Sequence, residues 1–365
     1  MSQRILSIGI CCYPTYGGSG VVATEVGMEM ARRGHRVHFV SYEVPHRLKR
    51  FMQNVFFHEV EVPSYPLFSQ YAPYSIALAS KLVEVSSSED LDLIHVHYAL
   101  PHAVSAFLAC QVLGTKAPKI ITTLHGTDIT VVGNNRSYLP ITRMSILASD
   151  GVTAVSQYLR QATYDKISIP TKSPIEVIPN VVDLEEFNCC PDQVSNIRSI
   201  FCRDDGAERP NLLCHVSNFR PVKRVPDVVQ VFARVCKEIP ARLILVGDGP
   251  ERSAVEQLCR SLDVEQDVSF LGKQDSIAEI ISSCDVFLLP SETESFGLAA
   301  LEAMACCVPV VATRAGGIPE VVTDSETGYL SDVGDIETMT ANVLRILGDS
   351  QLKAALGDAC LLYTS

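Results

Sequence analysis

The chain has 365 residues, 47% of them apolar, which is long for one core and comfortable for two. Its formal charge of −12 excludes an extended nucleic-acid or anionic-membrane surface, so the expected partners are small molecules, with no nucleic acid and no membrane. No apolar run reaches the ~18 residues of a membrane span, and Met1-Ser-Gln-Arg-Ile leads straight into a strand rather than a signal peptide, which predicts a soluble, cytoplasmic protein.

In chain order, strands are predicted at Arg4 to Cys11, Val37 to Val40, Val55 to Val62, Leu93 to Tyr98, Lys119 to Leu124, Gly151 to Val155 and Ile175 to Ile178. Helices fall near Val21 to Arg33, Ile76 to Ser86 and Pro101 to Leu113. The theme restarts with strands at Leu212 to Val216, Arg242 to Val246, Val268 to Leu271, Val286 to Leu289 and Val308 to Ala312. Such βα alternation predicts two α/β domains, each with a parallel sheet, joined by a hinge near residues 184 to 210. Thirteen cysteines contain no Cys-x-x-Cys, and three groupings are the adjacent pairs Cys11-Cys12, Cys189-Cys190 and Cys306-Cys307. They spell neither a zinc site nor a disulfide framework and read as small buried hydrophobes.

Ligands of open parallel sheets sit beyond the carboxyl ends of the strands, so motifs at those ends matter most. After the first strand, Tyr16-Gly-Gly-Ser-Gly20 is a strand-to-helix turn that either brings backbone N–H groups to an anion or is simply tight. His95 and His97 share a strand face, where two metal ligands or two hydrogen-bonded histidines would both fit; Asp90-Leu-Asp92 lies at the wrong edge of the sheet for a metal clamp. Leu124-His-Gly-Thr-Asp-Ile129 bunches His125, Thr127 and Asp128 at the favoured edge, with His125 either a site residue or a structural cap. Arg143 stands amid Thr142, Met144, Ile146 and Leu147, company in which a guanidinium holds an anion or an internal salt bridge.

In the second half, Arg220, Lys223 and Arg224 form a basic cluster after the strand at Leu212 to Val216, suited to a pyrophosphate without a metal. Val246-Gly-Asp-Gly-Pro-Glu251 and Gly316-Gly-Ile-Pro-Glu320 are further tight turns of the kind that phosphates favour. Glu294 and Glu302 flank the start of a helix at Leu298 to Ala305. The open N–H groups there suit a diphosphate, while the two carboxylates suit vicinal hydroxyls, Glu302 those of a ribose and Glu294 those of a sugar. Read alone, the same acids are a solvated helix start.

Taken together and in order, Glu294-x7-Glu302 around Ser-Phe-Gly-Leu, Val246-Gly-Asp-Gly-Pro and Gly316-Gly-Ile-Pro-Glu320 resemble the retaining glycosyltransferases of family 4, over residues 4 to about 350. Cys12-Tyr-Pro-x-x-Gly-Gly-Ser-Gly-Val-Val, Asp92-Leu-Ile-His-Val-His-Tyr-Ala-Leu-Pro-His and Ser217-Asn-Phe-Arg-Pro-Val-Lys-Arg resemble the branch that opens bacillithiol synthesis. The resemblance implies a GT-B fold, two Rossmann-like domains whose parallel sheets face across a cleft. Residues 1–185 would form the acceptor domain, 186–350 the nucleotide-sugar domain and 351–365 a truncated or foreign tail. It implies transfer of N-acetylglucosamine from UDP-N-acetylglucosamine to the hydroxyl of L-malate with retention, no cofactor, no metal and a possible homodimer.

Carried over by position, His125, Lys223, Arg220 and Glu294 would serve catalysis. The donor would meet Gly18, Asn218, Arg220, Lys223, Glu294, Ser295, Phe296, Gly297, Leu298 and Glu302, and the acceptor Ser19, Tyr98, Thr127 and Arg143. The family usually has an arginine five residues before the phosphate lysine; this chain has Asn218 there and its arginine at Arg220. Rival readings are a family 4 enzyme with another acceptor, a UDP-sugar epimerase of similar fold and an inactive nucleotide-sugar sensor.

Overall fold

The structure, a computed structural model, describes residues 4–15, 17–48, 51–62, 73–188, 191–202 and 209–364. Tyr16 of the first glycine turn, the Met1-Ser-Gln start, the Cys189-Cys190 pair and residues 203–208 of the expected hinge lie outside the described residues. The chain divides into two compact units, Met1–Asn180 and Val181–Ser365.

In the first unit, β1 (Ser7–Cys11), β2 (Arg36–Ser41), β3 (Val55–Glu59), β4 (Leu93–His97), β5 (Lys119–Leu124), β6 (Gly151–Ala154) and β7 (Glu176–Val177) form one parallel sheet in the order β3-β2-β1-β4-β5-β6-β7. Its central strands carry apolar residues on both faces, among them Ile8, Ile10, Val37, Phe39, Ile94 and Val96, all buried, because helices cover the sheet on either side. The ladder begins at Ser7 rather than Arg4. Asp92 takes the Ser7 N–H at 2.9 Å and the Arg4 guanidinium at 2.6 Å, closing the amino edge of the sheet, so the Asp90-Leu-Asp92 pattern is a structural seam.

In the second unit, β8 (Asn211–Val216), β9 (Ala241–Val246), β10 (Val268–Gly272), β11 (Val286–Leu289), β12 (Val310–Thr313) and β13 (Gly328–Ser331) run parallel in the order β10-β9-β8-β11-β12-β13. Leu213, Leu243, Val286 and Leu288 pack with Val228, Val229 and Phe232 of the helix Val225–Val235 in a continuous core. Residues Ser350–Thr364, expected as a tail, form a helix with Leu356 and Cys360 buried. Lys353 on it reaches Asp285 at 2.8 Å, whose other oxygen takes Arg198 at 2.6 Å and the Leu212 N–H at 2.8 Å.

Each sheet reverses its strand order once, between β1 and β4 in the first unit and between β8 and β11 in the second. At such a switch point two neighbouring loops leave in opposite directions and open a crevice at the carboxyl edge. Cys11, Cys12, Cys214, Cys259 and Cys284 are core residues, and burial pushes the Cys12 thiol up to about 12, as suits filler rather than a nucleophile.

Candidate functional site

In the first unit Ser19 and Tyr98, two of the expected acceptor residues, flank the switch point, while Thr127 and Arg143 follow β5. Gly18, at φ +61°, precedes the helix Ser19–Arg32 after β1, and Ser19 is buried as its first residue. Tyr98 follows β4 directly with φ +93°, a conformation that costs a non-glycine residue about 1–3 kcal/mol. The surrounding bonds hold it there: its N–H donates to Thr123 O at 3.0 Å, and the next N–H, of Ala99, donates to Asp128 at 2.9 Å. The Tyr98 ring lies 5.3 Å from His125 and 5.6 Å from Tyr13. Thr127 is exposed at the end of the same turn.

Asp128 organises that turn. Its carboxylate is buried and accepts N–H groups from Ala99 (2.9 Å), Gly126 (2.9 Å) and His125 (3.3 Å), joining the segments after β4 and β5. Burial still raises the carboxyl to about 6. Arg143 has no ion pair among the described residues. It lies on the helix Leu139–Leu147, whose Thr142, Ser145 and Ile146 turn inward, and so its own side of the helix is exposed. Ser145 donates to Ala99 O at 3.3 Å and docks this helix beside the Tyr98 segment.

His95 and His97 prove to be hydrogen-bonded, as one of the two sequence readings has it. His95 Nε2 meets Thr123 Oγ1 at 2.8 Å, His97 Nδ1 meets His125 Nε2 at 2.9 Å, and His102 Nδ1 meets His97 O at 2.5 Å. Desolvation holds His95 and His102 at about 4, His125 at about 3 and His97 well below its ordinary value, so all four rings are neutral at pH 7. Among the described residues no group of three His, Cys, Asp or Glu side chains is arranged to hold a metal ion.

In the second unit the loops after β8 and β11 meet at the switch point. Lys223, closing the short helix Pro221–Lys223, forms an ion pair with Glu294, and Ser291 Oγ donates to the same Glu294 oxygen at 3.1 Å. The Glu292 N–H donates to Val222 O at 2.8 Å, tying the two loops by backbone as well. Glu302 is buried in the helix Leu298–Ala305, which Gly297 caps at φ +102° with no side-chain cap. Ser295, Phe296 and Gly297 make the turn before it, Phe296 buried, and Leu298 is the first helical residue. Asn218 and Arg220 are exposed on the β8 loop, whereas Arg224 turns to Asp227 at 2.6 Å and leaves the cluster. Lys223 and Arg220 remain as its cations.

The two glycine turns read from sequence as phosphate-friendly have a packing task in the structure. A side chain at Gly316 would stand 1.9 Å from Glu294 O, and one at Gly247 would stand 1.7 Å from Ser217 O. They let neighbouring backbone press against the Glu294 loop and the Asn218 loop. His215 supports the latter from the core, with Nδ1 at 2.8 Å from Leu288 O and Nε2 at 2.7 Å from Ser217 Oγ, which also accepts the Phe219 N–H at 3.3 Å. Sequence reasoning missed Ser291, His215 and the bridging role of Asp128. The only signal was position: each follows or ends a strand whose carboxyl end carries a motif.

The chain matches the model of glycosyl transferases group 1 over residues 201–360 and that of Glycosyltransferase Family 4 over residues 16–186. It is 48% identical over 354 residues to N-acetyl-alpha-D-glucosaminyl L-malate synthase of Bacillus anthracis, covering 97% of this chain and 90% of that protein. It is 31% identical to a GDP-mannose-dependent monoacylated alpha-(1-6)-phosphatidylinositol monomannoside mannosyltransferase of Corynebacterium glutamicum, over 77% of this chain and 74% of that one. Among solved structures, Anabaena HepE in complex with UDP and glucose has a TM-score of 0.82 at 22% identity, covering 99% of this chain and 95% of that one. WaaG, of lipopolysaccharide biosynthesis, has a TM-score of 0.74 at 17% identity, over 98% and 95%. Likenesses at such identities speak for fold, the pair of Rossmann-like units of the GT-B type.

Proposed function

Because the chain belongs to glycosyltransferase family 4, in the group of the Bacillus anthracis synthase, we propose that it moves N-acetylglucosamine from UDP-N-acetylglucosamine to the hydroxyl of L-malate with retention. The observation that carries the donor half is the meeting of Lys223 and Glu294 at the β8–β11 switch point, next to the helix start at Gly297 and the buried Glu302. A cation, the backbone N–H groups of a helix start and two carboxylates are what a sugar diphosphate with two sets of vicinal hydroxyls requires. The acceptor half is supported by the activity for which the 48% identical relative is named, with Ser19 after β1 and Tyr98 after β4 at the switch point, and Thr127 and Arg143 exposed on the segments after β5.

Cleavage of the sugar–phosphate bond builds negative charge on the β-phosphate and positive charge on the ring. Lys223, Arg220 and the N–H groups of Ser295 to Leu298 would stabilise the former, each fixed donor being worth ~10²–10³ in rate. In the second unit Glu294 would hold the sugar and Glu302 the ribose; in the first, His125 would be a sugar contact. Attack from the face that the diphosphate leaves, with a departing phosphate oxygen taking the malate proton, preserves the anomeric configuration without a protein nucleophile. These residues supply the charge that a divalent metal would otherwise supply, so the reaction is proposed to need none.

The test is product analysis by mass spectrometry, with UDP-N-acetylglucosamine offered a panel of hydroxy acids. A malate glycoside as main product is expected. A preference for another acceptor, or hydrolysis alone, would overturn the malate assignment.

A further inference from the structure

We infer that His97 is a positioning residue that fixes which nitrogen of His125 carries the proton, so that His125 presents an Nδ1–H donor to its ligand. The catalytic consequence rests on the reading of His125 as a sugar contact; the proton assignment stands on geometry alone.

The His97 ring is 1% exposed, with Nδ1 at 2.9 Å from His125 Nε2 and the ring centroids 5.1 Å apart, a separation that suits a hydrogen bond between nitrogens pointing at one another. Both rings are neutral, so one proton lies between these nitrogens. If His125 donates it, His97 must carry its own proton on Nε2, which is buried and has no hydrogen-bond partner among the described residues. If His97 donates, that buried Nε2 keeps only a lone pair. Orphaned buried N–H groups are the rarer of the two.

His102, in the same cluster, makes the same choice under compulsion. Its Nδ1 faces the carbonyl of His97, which can only accept, so its proton lies on Nδ1 and its buried, unpartnered Nε2 is a bare lone pair. This interior therefore tolerates an orphaned imidazole lone pair. By contrast, His215 in the other unit has partners on both nitrogens.

With Nε2 accepting from His97, His125 has its proton on Nδ1, the ring nitrogen left for a ligand. It then donates to a hydroxyl oxygen and does not accept from one. His97 touches no substrate in this account and acts through His125.

Nitrogen-15 imidazole spectra of the full chain, with His97→Phe and His97→Asn beside it, test the assignment. The wild type should show His125 protonated at Nδ1. His97→Phe, similar in volume but without a donor, should release the tautomer and lower kcat on the order of 10-fold or more, as when a partner behind a ligating histidine is lost. His97→Asn, whose amide places a donor near the former Nδ1, should keep the tautomer and restore most of the rate. A wild-type His125 protonated at Nε2, or a tautomer unchanged in His97→Phe, would overturn the inference. Absence of any turnover by the wild type would instead contradict the proposed function, and the spectra would still decide the role of His97.

Discussion

Lys223 and Glu294 hold one another, and Ser291 donates to the same carboxylate oxygen, so the two residues proposed to meet a sugar diphosphate are oriented by one another. The pair is mostly buried, with side chains 22% and 15% exposed, and removing one partner would leave the other as an uncompensated charge. Arg143 is the opposite case. It is exposed on a docked helix, so its removal strands no buried group. Arg143→Met is expected to reduce kcat/KM for malate by ~10²-fold or more while the UDP-sugar Kd stays within a few-fold; Arg143→Lys should recover part, a point charge replacing a fork. Steady-state kinetics with donor calorimetry check this. Equal losses for both substrates would mean that Arg143 supports the fold of the first unit.

At the scale of elements, the loops at the switch points owe their shape to glycine turns on neighbouring strands. Gly316 has φ +59° and no room for a Cβ beside Glu294 O, and the Gly317 N–H donates to that same oxygen at 2.9 Å. Gly316→Ala should therefore cost about 1–3 kcal/mol and displace the Glu294 loop, weakening donor binding as well as stability. Gly348→Ala, at a helix end with nothing within 4 Å, is the control and should do neither. Denaturant midpoints and donor titration separate the two; an unaltered donor Kd in Gly316→Ala would remove the buttress from the account.

Most strands were legible because parallel strands buried on both faces are rich in apolar and β-branched residues; Lys119–Leu124, Val286–Leu289 and the helix Leu298–Ala305 have the bounds that the pattern predicts. The strand Gly328–Ser331 was not, since four residues beginning with glycine carry no period. Lys223 and Glu294 were legible as chemistry, but their pairing was not. The two residues are 71 apart in sequence, and they meet because β8 and β11 lie side by side. The same holds for His97 and His125, which the adjacency of β4 and β5 brings together.

For the whole molecule, the buried histidines set the response to acid. Desolvation lowers His38, His95, His102 and His215 to about 4, His125 to about 3 and His97 well below its ordinary value, against an unfolded value near 6.5. As the pH falls below 6.5 the unfolded chain binds protons that the native chain refuses. The stability these rings contribute is whole above that value and is lost as the pH falls toward 4. Asp128 opposes them: raised to about 6 by burial, it is protonated first in the native state, and its contribution is lost as the pH rises through 6. One carboxyl against six imidazoles leaves a net loss on acidification exceeding ~1.4 kcal/mol per pH unit. Urea midpoints should fall between about pH 7.5 and about pH 5.5, above the range in which ordinary carboxylates titrate. Constant midpoints would mean that these rings are charged in the fold.

The central claim is that the residues at the two switch points perform a retaining, metal-independent transfer to malate. The most direct measurement is proton NMR of the product formed by the full chain from UDP-N-acetylglucosamine and L-malate in excess EDTA. The account predicts an α-linked glycoside of malate, formed at the rate seen without chelator. A β-linked product, or turnover that disappears with EDTA and returns with Mg²⁺ or Mn²⁺, would contradict it.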